Sequence, residues 1–120
     1  MSDDGRVIEV TREQFEDLVG EALDTIPEGF AQRMETVVVL VEDNPPPGRN
    51  LLGLYRGVPL TRRGHGYSGI LPDTIHIYRI PIQRICHTDE QIIERVRSTV
   101  VHEVAHHFGI SDSRLKELGY

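Results

Sequence analysis

The stretch TVVHEVAHHFGISD, Thr99 to Asp112, decides how this chain is read. It holds three histidines and two acidic residues. On an α-helix, residues four apart share a face and lie about 6 Å apart along the axis, so His102 and His106 project side by side. Two imidazoles so placed can close on one zinc ion at roughly 2.1 Å each. Glu103 sits about 100° round the helix from His102, outside the ligand pair but within reach of a water on the metal. Two ligands and one general base are the physical reason for the H-E-x-x-H spacing.

The surrounding sequence supports a helix with that division of faces. TDEQIIERVRSTVVHEVAHHFG reads as one long helix. Thr88 and Gln91 are spaced as a capping box, Asp89 and Glu90 suit the positive end of the dipole, and Gly109 is a natural stop. At about 100° per residue, Ile92, Ile93, Val96, Val100 and Val104 form one apolar stripe. His102 and His106 fall to one side of it, where a cleft-facing pair belongs. His107 falls inside it, which assigns it to the edge of the core and not to a metal.

Upstream, TREQFEDLVGEALDTIP opens with a capping box, Thr11 with Gln14, and carries Phe15, Leu18, Val19, Ala22, Leu23 and Ile26 at helical spacing until Pro27 closes it. TVVVLVED, Thr36 to Asp43, is an apolar run too continuous for a half-exposed strand, and predicts a central strand buried on two faces. The prolines of NPPPGRN end it. LLGLYRGV predicts a second strand and TRRGHGYSG a glycine-rich loop. DTIHIYR, Asp73 to Arg79, alternates as a strand, with Ile75 and Ile77 on one face and His76 and Tyr78 on the other. IQRIC, after Pro81, reads as a helical turn.

Whole-chain properties bound the function. One domain spanning residues 1–120 can bury a single modest core. A hydrophobic content of 38% and a charged content of 27% are ordinary for a globular chain. The net charge of −6 argues against duplex nucleic acid or an anionic membrane surface as partner. Cys86 is the only cysteine, which excludes an intrachain disulfide and a cysteine-rich zinc site. No apolar run approaches membrane-spanning length and the first residues are acidic, so a cytoplasmic protein is expected. Cys86 reads as a small buried residue and His65 as a solvated loop histidine.

HEVAHHFGISD, or H-E-x-x-H-x-x-G-x-x-D, resembles the metzincin zinc peptidases, whose signature ends in histidine where Asp112 stands. It also looks like snapalysin-type bacterial metallopeptidases, which carry aspartate there. LLGLYRGVPLTRRG, LPDTIHIYR and HEVAHHFGISD together are similar to small bacterial minimal zincin-like proteins, over residues 7 to 118. The resemblance implies an α+β minimal zincin-like fold: an N-terminal helix, a small sheet of three or four strands with an edge strand, and the long active-site helix. It implies one zinc ion per chain on His102, His106 and Asp112, Glu103 as general base, and peptide-bond hydrolysis. It makes DTIHIYR the edge strand that pairs with an extended peptide or protein substrate, with His76 and Tyr78 able to line the cleft. Ser111 or Asp112 can alternatively cap a short helix through Leu115 and Leu118. Tyr67 or Tyr120 are candidate hydroxyls for an oxyanion. The only methionines are Met1 and Met34, so no methionine turn follows the third ligand. An oligomer, a partner protein or a very open cleft would have to replace the missing wall. The alternative is a zincin-like module that binds a partner without catalysis.

Overall fold

A computed structural model of the chain describes residues 9–57 and 72–120. The elements run α1 (Arg12–Asp24), α2 (Glu28–Arg33), β1 (Val37–Glu42), β2 (Gly53–Arg56), β3 (Asp73–Tyr78), α3 (Arg79–Arg84), α4 (Asp89–His107) and α5 (Asp112–Glu117). The fold is α+β, as expected for a minimal zincin-like domain. The three strands form one mixed sheet in the order β1-β3-β2, with β1 parallel and β2 antiparallel to β3.

The core lies between the inner face of the sheet, α1 and the long helix α4. Ile92, Val96, Val100 and Val104 are fully buried along α4, as the helical phase requires, and meet Phe15, Leu18 and Ala22 of α1 and Ile75 and Ile77 of β3. Burial stabilises by about 1.5–3 kcal/mol per side chain of this size, so this stripe is what holds α4 on the sheet. The capping box of α1 forms as read: Thr11 accepts from the Gln14 N–H, and Gln14 accepts from the Thr11 N–H. Only half of the second box forms. Thr88 caps the Gln91 N–H, but the Gln91 side chain reaches back to the His87 N–H at 2.6 Å.

Three expectations are corrected. β1 is an edge strand, not a central one, and Val38 and Leu40 remain 41% exposed. Its unbroken apolar run mimics burial on two faces, yet no described helix covers the outer face of the sheet. β3 is the central strand, because β1 and β2 pair with its two sides; its free edge does not exist. α3 begins at Arg79, before Pro81, which is tolerated because the first helical turn needs no donor from that position. The helix α2 gave no sequence signal beyond Pro27, which stands at its N-cap. The glycine-rich loop with His65 and Tyr67 lies outside the described residues.

β2 approaches α4 closely at Gly53. A Cβ built there would lie 2.7 Å from Thr99 Cγ2 and 3.0 Å from the His76 carbonyl oxygen. The carbonyl cannot move without breaking the sheet. Gly53→Ala is therefore expected to destabilise by about 1–3 kcal/mol in urea melts, and Thr99→Ser in the same chain to recover part of the loss.

Where β1 ends, Arg79 donates to Asp43 Oδ1 at 2.9 Å and to the Val10 carbonyl at 2.8 Å, fastening the start of α3 to β1 and to the segment before α1. The hydrogen bond from Arg79 holds the Asp43 carboxyl below its usual range. A depressed folded-state value means that the stabilisation is present above the unfolded-state value of about 3.9 and is lost as pH falls through the folded-state value. Asp43→Asn should lower the melting temperature at pH 7, and the gap to the parent should close at pH 2.

Candidate metal centre

The last two turns of α4 present His102, Glu103 and His106 on the side away from the buried stripe. The His102 and His106 ring centroids are 6.1 Å apart, as four-residue spacing dictates. The chain then reverses. Phe108 caps α4 and Gly109 takes φ +77°, a left-handed conformation that disfavours any side chain. The Gly109 N–H bonds the His106 carbonyl at 3.1 Å, and the Ile110 N–H bonds the Ala105 carbonyl at 2.8 Å. These are the two bonds of a Schellman turn, and Ile110 packs against the core beneath it.

This turn decides between cap and histidine partner for Asp112. The cap of α5 is Ser111, whose hydroxyl accepts from the Arg114 N–H at 3.1 Å. Asp112 is the first residue of α5, and its carboxylate points back toward the histidines instead of capping. Its Oδ1 lies 3.0 Å from His106 Nε2 and 3.8 Å from His102 Nδ1. The hydrogen bond with His106 holds the Asp112 carboxyl below its usual range.

One donor atom from each of His102, His106 and Asp112 lies within 4.8 Å of the others. Ligands on a single zinc at about 2.0–2.1 Å stand about 3.3 Å apart in a tetrahedron, so the spread here is within small side-chain rotations of that geometry. Two imidazoles and a carboxylate suit zinc, and three protein donors leave one position for water. The side chains are 42%, 54% and 73% exposed, so the open side faces solvent.

Glu103 faces a different neighbour. Its Oε1 accepts from the Tyr55 backbone N–H of β2 at 3.0 Å, which holds the carboxylate between the sheet and the histidine pair. Tyr55 is itself fixed. Its hydroxyl donates to Asp73 Oδ2 at 2.7 Å, and its ring stacks on His107 with centroids 4.0 Å apart. His107 thus sits outside the metal cluster, but it is 39% exposed and packs on Tyr55, not within the apolar stripe.

A groove of about 320 Å³ runs between the chain from Leu51 to Gly53 and the face of α4 carrying Arg95 and Thr99, and ends at His102 and Glu103. His76 and Tyr78 are not in it. Both lie on the outer sheet face, opposite α4, where His76 Nδ1 contacts Glu42 Oε1 at 2.6 Å and Tyr78 is almost fully buried. Tyr120 packs edge-on against Phe30, 5.0 Å between centroids. Cys86 is buried, and desolvation pushes its thiol up, as befits a structural residue.

A sequence model of zincin-like metallopeptidases matches residues 34–120. The chain belongs to the zincin-like metallopeptidase family. No curated protein matches it. Among solved structures, this zincin-like chain is similar to a conserved hypothetical protein from T. thermophilus. The two share 28% identity at a TM-score of 0.54, over 82% of this chain and 94% of the other. Zinc binding is general to the family, and the donor set above fits it. No helix among the described residues is long and apolar enough to cross a membrane.

The backbone donor at Tyr55 and the close approach at Gly53 were missed by sequence reasoning. A glycine inside a strand, in GLYRG, was the available signal for the second. The geometry makes a direct expectation for metal-free protein. An NMR titration should find the Asp112 carboxyl below the ordinary aspartate range, and His106→Ala should return it to that range.

Proposed function

We propose that the chain is a zinc-dependent peptidase in which His102, His106 and Asp112 hold the metal and Glu103 is the general base. The observation that carries this reading is the return of Asp112 across the Gly109 turn to within 3.0 Å of His106, with Glu103 held alongside. The pattern HEVAHHFGISD, similar to the metzincin signature, supports the same ligand set.

Zinc in such a site acts as a Lewis acid and makes a water nucleophilic near neutral pH. The chain supplies the rest. Glu103 takes the water's proton and returns it to the leaving amine. The Tyr55 N–H occupies Oε1 of Glu103 and fixes the carboxylate, leaving its other oxygen for the proton. Substrate is an extended peptide or an unfolded stretch of protein. It enters from the solvent side, where a second copy or a partner protein can complete the wall. The cytoplasm is the proposed compartment, in keeping with one buried cysteine.

A second reading, a partner-binding module without catalysis, is favoured by the exposure of all three donors and differs in what Glu103 does. Purified with added zinc and without chelator, the chain should carry about one zinc, and His102→Ala should lose it. Glu103→Gln should keep the metal and lower peptide cleavage by about 10²–10⁴-fold. Full zinc occupancy with no cleavage of a broad peptide library, and partner capture unchanged by Glu103→Gln, would establish the module instead.

A further inference from the structure

The groove beside the metal centre has a chemistry of its own. Tyr55 donates its N–H to Glu103 and not to β3. The antiparallel register pairs Tyr55 with Ile75 and Gly53 with Ile77, so the two residues share one orientation. The intervening set bonds to β3, as the Tyr78 N–H to Leu52 carbonyl bond of 3.0 Å shows. The N–H and C=O of Gly53 therefore point away from β3, along the edge of β2 that borders the groove and that no described strand pairs with. This edge, not β3, is what an added strand can pair with.

The opposite wall is the face of α4 that carries Arg95, Thr99 and His102. Arg95 is exposed, and no carboxylate among the described residues pairs with it; its neighbour Glu94 is turned to Arg97 at 3.4 Å. Arg95 stands seven residues, about 10.5 Å of helix, before His102. An extended peptide covers that distance in about three residues.

We infer that Arg95 is a specificity residue: the groove takes an extended peptide that adds to this outer edge of β2 at Gly53 and carries an acidic side chain about three residues from the bond presented to Glu103. This inference rests on the peptidase reading for the position of that bond, and it adds the class of substrate. Charge complementarity selects the occupant. The chain as a whole carries a charge of −6 and repels acidic peptides at a distance, so the preference has to come from the Arg95 guanidinium at close range.

The test uses two fluorescent peptides, alike except for glutamate or lysine at that position, moved in turn to either side of the central bond. Binding is read by anisotropy on zinc-loaded Glu103→Gln protein, and cleavage on the zinc-loaded parent. The glutamate peptide should bind on the order of tenfold more tightly, less so at high salt, and Arg95→Glu should reverse the order. Equal binding of the two peptides, or a preference that survives Arg95→Glu, overturns the inference. Cleavage accompanied by equal binding leaves the peptidase standing and removes Arg95. A charge preference reversed by Arg95→Glu without any cleavage supports the groove and removes the peptidase.

Discussion

The long helix can lie as close to the sheet as it does because residue 53 has no side chain. Thr99 Cγ2 occupies the space a Cβ would need. From that contact the rest follows in steps of one helical turn. Glu103 comes level with Tyr55 and accepts its N–H, while His102 and His106 are left on the rim. The backbone donor of β2 thus holds the carboxylate beside the histidine pair and outside the cluster of His102, His106 and Asp112.

A second constraint acts at the other end of the helix. The Schellman turn at Gly109 directs the chain back over the His106 face, and Ser111 takes the cap of α5 that Asp112 would otherwise provide. Each residue of GISD thus has one task. Glycine turns, isoleucine anchors the turn in the core, serine caps, and aspartate faces the histidines.

Much of this was legible in the sequence because it rests on local rules. The α4 stripe, the side-by-side histidines, the Gly109 stop and the α1 capping box are matters of helical period and end chemistry, and all were found where expected. The family, the α+β class and the small sheet followed from the resemblance. What could not be read was the order of the strands. TVVVLVED looks central because it is apolar throughout, and DTIHIYR looks like an edge because it alternates, but pairing is set by contacts distant in sequence, and the two roles are exchanged. With that exchange His76 and Tyr78 leave the cleft. Asp112 was open for a different reason: a cap and a histidine partner use the same residue types, and it is the hydroxyl of Ser111 that takes the cap.

The central claim is tested most directly by a crystal structure of the zinc-loaded chain. The expected result is one metal ion held by His102, His106 and Asp112, with Glu103 outside the ligand set and still bonded to the Tyr55 N–H. A metal ion bound elsewhere, or Asp112 turned to solvent while Glu103 takes its place as a ligand, would contradict it.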